Sequence, residues 1–125
     1  MSMIAALFMM AETPITDPNW WIITASSDTG GLYFIKAKDL YQGPGIHDVW
    51  VKEDLSKDKT SKARSAMTLY RFDCHYTQMG VVERITHLPT GETQETSGGI
   101  IPTMRPIAPE TIGEVMFNTV CGKKQ

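Results

Sequence analysis

APETIGEVMFNTVCG, residues 108–122, reads as a short helix with a cysteine in its last turn. Thr111 and Glu114 have the T-x-x-E spacing of a capping box, and Pro109 lies just upstream. Thr111, Glu114 and Asn118 form one polar stripe, while Ile112, Val115, Met116, Phe117 and Val120 fill the remaining arc. Gly122 stands where a left-handed terminal glycine belongs, and Lys123 and Lys124 suit the negative end of the helix dipole. So short a helix does not persist alone in water. Its wide apolar arc therefore predicts that it lies against a sheet.

Working outward, the sheet is legible upstream. MTLYRFDCHY (67–76) alternates as a strand does, with Leu69, Arg71, Asp73 and His75 on one face and Tyr70, Phe72, Cys74 and Tyr76 on the other. That phase places Cys74, the only cysteine besides Cys121, on the core-facing side. Two readings of the pair stay open. A disulfide would fasten the helix to the sheet, contribute roughly 4 kcal/mol by constraining the unfolded chain, and imply an oxidising compartment. Alternatively, both are buried reduced thiols in a cytosolic protein.

Strand signals dominate the rest of the chain. WWIITA (20–25) and LYFIK (32–36) flank the turn-forming SSDTGG and predict a hairpin. YQGPG (41–45) is a turn and IHDVWVK (46–52) the next strand. VVERITHL (81–88) and ETQETS (92–97) flank PTG as another hairpin, and Gly80 is a candidate bulge or bend. Residues 98–107 have no legible assignment.

Composition excludes several classes of function. The 125 residues are 42% hydrophobic and 21% charged with net charge −2, which suits one folded domain and offers no global field for nucleic acid or an anionic membrane. KEDLSKDKTSKAR (52–64) carries a local excess of two positive charges and predicts a solvated hairpin loop or a patch for polyanions, through Lys57, Lys59, Lys62 and Arg64. The apolar run Met3–Ala11 is too short to span a bilayer and lacks a basic n-region. It reads as the remnant of a signal peptide or as a tail, with no cysteine nearby for a lipid anchor. The expected organisation is a tail over 1–19, one domain over 20–122 and a C-terminal tail over 123–125.

LYRFDC, LPTGETQETS and RPIAPETIGEVMFNTVC together resemble the surface-adhesin protein E family of bacterial envelope proteins. The matching positions are Trp20, Val49–Lys52, Asp73, Cys74, Gly91, Pro109, Thr111, Glu114, Val120 and Cys121. The resemblance implies an α+β fold, an antiparallel sheet of about six strands with one C-terminal helix held on one face by a Cys74–Cys121 disulfide. It also implies an exported protein (periplasmic, secreted or on the cell surface) that binds host or envelope macromolecules and catalyses no reaction.

Residue chemistry agrees with that expectation. His47, His75 and His87 fall on separate predicted strands, so metal binding is disfavoured, and no cofactor is expected. Ser65, Asp73 and His75 could supply a hydrolytic triad, but no nucleophile-elbow sequence accompanies them. The first hairpin is apolar on both faces, with Trp20 and Ile22 on one side and Trp21 and Ile23 on the other. One helix covers one face only. The other predicts partner capture or homodimer formation through Trp20 or Trp21, Tyr33 or Phe34, and Trp50, unless curling, loops or the N-terminal segment cover it. A periplasmic inhibitor or chaperone-like protein acting on an envelope enzyme is the alternative function.

Overall fold

The aromatic and β-branched runs of the first hairpin form β1 (Trp20–Ala25) and β2 (Leu32–Lys36). They are closed by a turn in which Gly30 takes φ +78°, a conformation that favours glycine. In the computed structural model, which describes residues 19–97 and 101–122, five further strands follow. These are β3 (Ile46–Asp54), β4 (Ser65–Asp73), β5 (Gln78–His87), β6 (Thr93–Ser97) and the two-residue β7 (Arg105–Pro106); helix α1 spans Ile112–Cys121. The order is β1-β2-β3-β4-β5-β6, antiparallel throughout, with β7 pairing the start of β5. This is the expected six-stranded antiparallel sheet with one C-terminal helix, plus one short strand in the stretch that sequence reasoning could not assign. The segments Met3–Ala11, 98–100 and Lys123–Lys124 lie outside the described residues.

Register separates the two faces. Ile35 opposes Val51, Val49 opposes Tyr70, and His47 opposes Phe72, and these side chains point toward the helix. Ile35, Val49, Val51 and Phe72 pack with Met116, Phe117 and Val120 of α1 into one buried cluster. The rings of Phe72 and Phe117 lie 6.4 Å apart. Val115, expected on the apolar arc, is instead 37% exposed, because the arc is wider than the strip of sheet beneath it.

The helix ends differ in detail from their sequence signatures. Thr111 Oγ1 accepts the N–H of Glu114 at 3.2 Å, as a cap should. Glu114 reaches back one residue further than a capping box requires, its Oε1 accepting the N–H of Glu110 at 3.0 Å. Gly122 is extended (φ −69°), not left-handed. A Cβ there would press on the carbonyl oxygen of Asn118, which accepts the Gly122 N–H at 2.9 Å. The last-turn carbonyls of Thr119 and Val120 accept the N–H groups of Tyr41 (2.9 Å) and Gln42 (2.7 Å), so the loop before β3 closes the helix C-terminus.

Two strand-level expectations are corrected. β4 stops at Asp73, and Cys74 is the first residue of the following turn. The Asp73 carboxylate accepts the N–H groups of His75 and Tyr76, both at 3.0 Å, which bends the chain out of the ladder. The bulge in this hairpin falls where Leu69 pairs Glu83 and Tyr70 pairs Val81, not at Gly80. Gly80 serves a different purpose: a Cβ there would lie 2.6 Å from the carbonyl oxygen of Thr103, so only glycine lets that segment cross β5.

Candidate binding surface

The two sulfurs are bonded, Cys74 to Cys121, with Cα atoms 5.5 Å apart and a sequence separation of 47. The bridge joins the β4–β5 turn to the end of α1 and commits the helix to one face of the sheet. Among the described residues the opposite face carries no helix.

On that open face the pairs Trp20–Lys36, Ile22–Phe34 and Phe34–Lys52 bring the first three strands together. Lys36 Nζ lies 5.3 Å and Lys52 Nζ 5.8 Å from the centre of the Trp20 ring. Continuing the register, Trp50 stands beyond Lys36 on β3, opposite Leu69 of β4. Phe34 is 8% exposed and Trp20 and Trp50 are half-buried, so the aromatic surface is a packed platform with accessible rims. Further along, Arg71 makes a two-pronged ion pair with Asp48, at 2.8 and 3.0 Å.

The residues expected to bind partners therefore divide. Trp20, Phe34 and Trp50 share the open face. Tyr33 faces the helix side, and Trp21, opposite Ile35, projects on that same side at the sheet edge with 55% exposure. Lys57, Lys59, Lys62 and Arg64 are exposed on the β3–β4 loop, beside the β1–β2 turn and away from Trp20. In that loop the Thr60 hydroxyl and N–H hold the Asp58 carboxyl below the usual carboxylate range. Its acid thus stays among its bases.

On the helix side, beyond the apolar core, lies a polar cluster that sequence reasoning missed. Arg84 Nη1 donates to Glu53 Oε1 at 2.7 Å and to Thr68 Oγ1 at 2.9 Å. The Glu53 side chain is 9% exposed and acts on the Tyr33 hydroxyl beside it. Burial, followed by the charge and hydrogen bond of Glu53, pushes the Tyr33 hydroxyl up to about 12. Burial and Glu53 also raise Tyr70, with Arg84 opposing. A carboxylate so engaged, beside tyrosines that hold their protons, is a clamp between β2, β3, β4 and β5. The only sequence signal was a charge on the inward phase of β3, matched by one on the inward phase of β5.

The histidines do not converge. A His47 ring nitrogen lies 3.0 Å from the Gly43 carbonyl and 3.1 Å from that of Pro44, and His75 packs edge-on against Tyr76. Among the described residues no three His, Cys, Asp or Glu side chains gather as a metal site. Ser65 and Asp73 sit at opposite ends of β4, roughly 25 Å apart at strand rise, so they assemble no triad with His75. No helix of the described residues is long and apolar enough to cross a membrane.

A small antiparallel sheet with a C-terminal helix bridged onto one face and aromatic side chains grouped on the other defines a disulfide-tied α+β domain. The chain belongs to the surface-adhesin protein E family, whose model matches residues 20–122. Among solved structures it is similar to protein E from non-typeable Haemophilus influenzae, at 16% identity and a TM-score of 0.46, covering 81% of this chain and 75% of that one. No curated protein matches the sequence.

Proposed function

We infer that this protein is an exported, non-catalytic binding protein that engages host or envelope macromolecules through the face of its sheet opposite α1. One observation carries the reading: Trp20, Phe34 and Trp50 converge on the face that the disulfide-held helix leaves open. Aromatic residues in such a setting supply most of the energy of typical interfaces. Membership in a family of surface adhesins and the bridge between Cys74 and Cys121 support export to an oxidising compartment: periplasm, medium or cell surface. The binding unit is the single domain 20–122, and the homodimeric form of this reading docks a second copy on the same platform.

The test is capture of immobilised matrix proteins and of envelope extract by the oxidised protein and by W20S/W50S. Wild type retains one or more defined proteins, and the variant, with its bridge intact by thiol titration, loses them. Equal capture by both proteins overturns the assignment of the platform. A protein that exposes two titratable thiols on denaturation after export overturns the compartment.

A further inference from the structure

Lys36 and Lys52 are the feature of the open face that the apolar reading does not use. Both ammonium groups approach one indole, that of Trp20, at 5.3 and 5.8 Å. Neither makes an ion pair with a carboxylate among the described residues. Of the acids on this face, Asp48 is committed to Arg71, Asp54, two positions beyond Lys52, accepts the N–H of Ser56, and Glu83 and Glu95 stand on the farther strands β5 and β6. Two like charges are thus gathered on one ring, in a protein whose net charge is −2. The ring quadrupole attracts each cation but does not neutralise either. Beside them a cavity of about 240 Å³ is lined by Asn19, Lys36, Ala37 and Lys38.

We propose that this row, Trp20–Lys36–Trp50 with Lys52 alongside, binds a sulfated glycan chain. The proposal rests on the open-face reading above and gives it a ligand class. Trp20 and Trp50 are two strands apart, roughly 10 Å, with Lys36 on the strand between them and its ammonium against the Trp20 ring. A sulfated polysaccharide presents the same sequence of surfaces, apolar sugar-ring faces that stack on indole and anionic groups that meet ammonium. The cavity next to Lys36 admits a substituent that projects from the ring.

An acidic peptide added as a strand fits less well. The β1 edge it would pair with is interrupted between Ile22 and Thr24, and a bulge removes the regular main-chain ladder. A membrane surface fits less well too, because Trp21 and Ile22, the exposed apolar residues of β1, point to opposite sides of the sheet.

The experiment titrates the full, oxidised chain with a fully sulfated heparin dodecasaccharide, with its desulfated counterpart, and with phosphatidylglycerol vesicles. The expected result is saturable binding of the sulfated chain alone, weakened about tenfold or more in K36Q/K52Q and retained in K36R/K52R. Counterion release predicts a salt dependence shallower by about two in the Gln variant. Binding that survives K36Q/K52Q overturns the proposal, as does loss that follows K57Q/K59Q/K62Q instead, or vesicle binding without saccharide binding. If saccharide binding is absent while W20S/W50S still abolishes protein capture, the ligand class falls and the open-face reading stands.

Discussion

The Sγ of Cys74, the first residue after β4, is bonded to that of Cys121, the last residue of α1, at 2.06 Å. The bond ties the helix C-terminus to the turn in which Asp73 caps two backbone N–H groups. With 47 positions of separation, its removal in C74A/C121A is expected to cost roughly 4 kcal/mol. Urea unfolding of the double variant against oxidised wild type measures this, and an unchanged midpoint would show that packing alone holds α1.

Gly80 is irreplaceable for a reason of distance. A methyl group at that position meets the Thr103 carbonyl oxygen at 2.6 Å and the Met104 sulfur at 2.9 Å. G80A is therefore expected to lose about 1–3 kcal/mol by overpacking and to speed amide exchange at Met79 and Arg105, which pair across β5 and β7. Wild-type exchange at those amides would contradict the close crossing.

Arg84 neutralises Glu53 at 2.7 Å, while its own side chain stays 36% exposed. R84M leaves a buried carboxylate with Tyr33 as its remaining partner. Solvent screening on the arginine side reduces the cost below that of a fully buried pair, to about 1–3 kcal/mol. The double variant E53Q/R84M, which removes both charges, is expected to recover part of the loss. Thermal unfolding of the three proteins reports the coupling.

Tyr33, raised to about 12 by burial and by Glu53, links stability to alkaline pH. Its folded-state value lies above the ordinary 10, so the unfolded chain gives up the proton first. The stabilisation is complete below pH 10 and is lost as pH rises from 10 through 12. In Y33F the slope of stability against pH over that window is expected to flatten, and tyrosinate absorbance is expected to lose one late-titrating tyrosine while keeping that of Tyr70. An identical alkaline limb in both proteins would refute the Tyr33–Glu53 contact.

Local chemistry alone determined the elements here. Period-2 alternation, the turn residues around Gly30 and the Thr111 cap act within a few residues and stand in the structure, except that the alternation read through Tyr76 ends at Asp73, where a turn begins. The cysteine pair and the order of motifs from Trp20 to Cys121 also revealed the family. Tertiary structure decided what depends on which strands become neighbours. Alternation says that Tyr33 and Phe34 point to opposite sides, but only helix docking says that Phe34 shares the open platform and Tyr33 the Glu53 clamp. Glu53 meets Arg84 across 31 positions, and Lys52 reaches Trp20 across the whole of β2. Gly80 and Gly122 answer to carbonyl oxygens that approach them, a constraint of space that leaves no mark in the composition of their own segments.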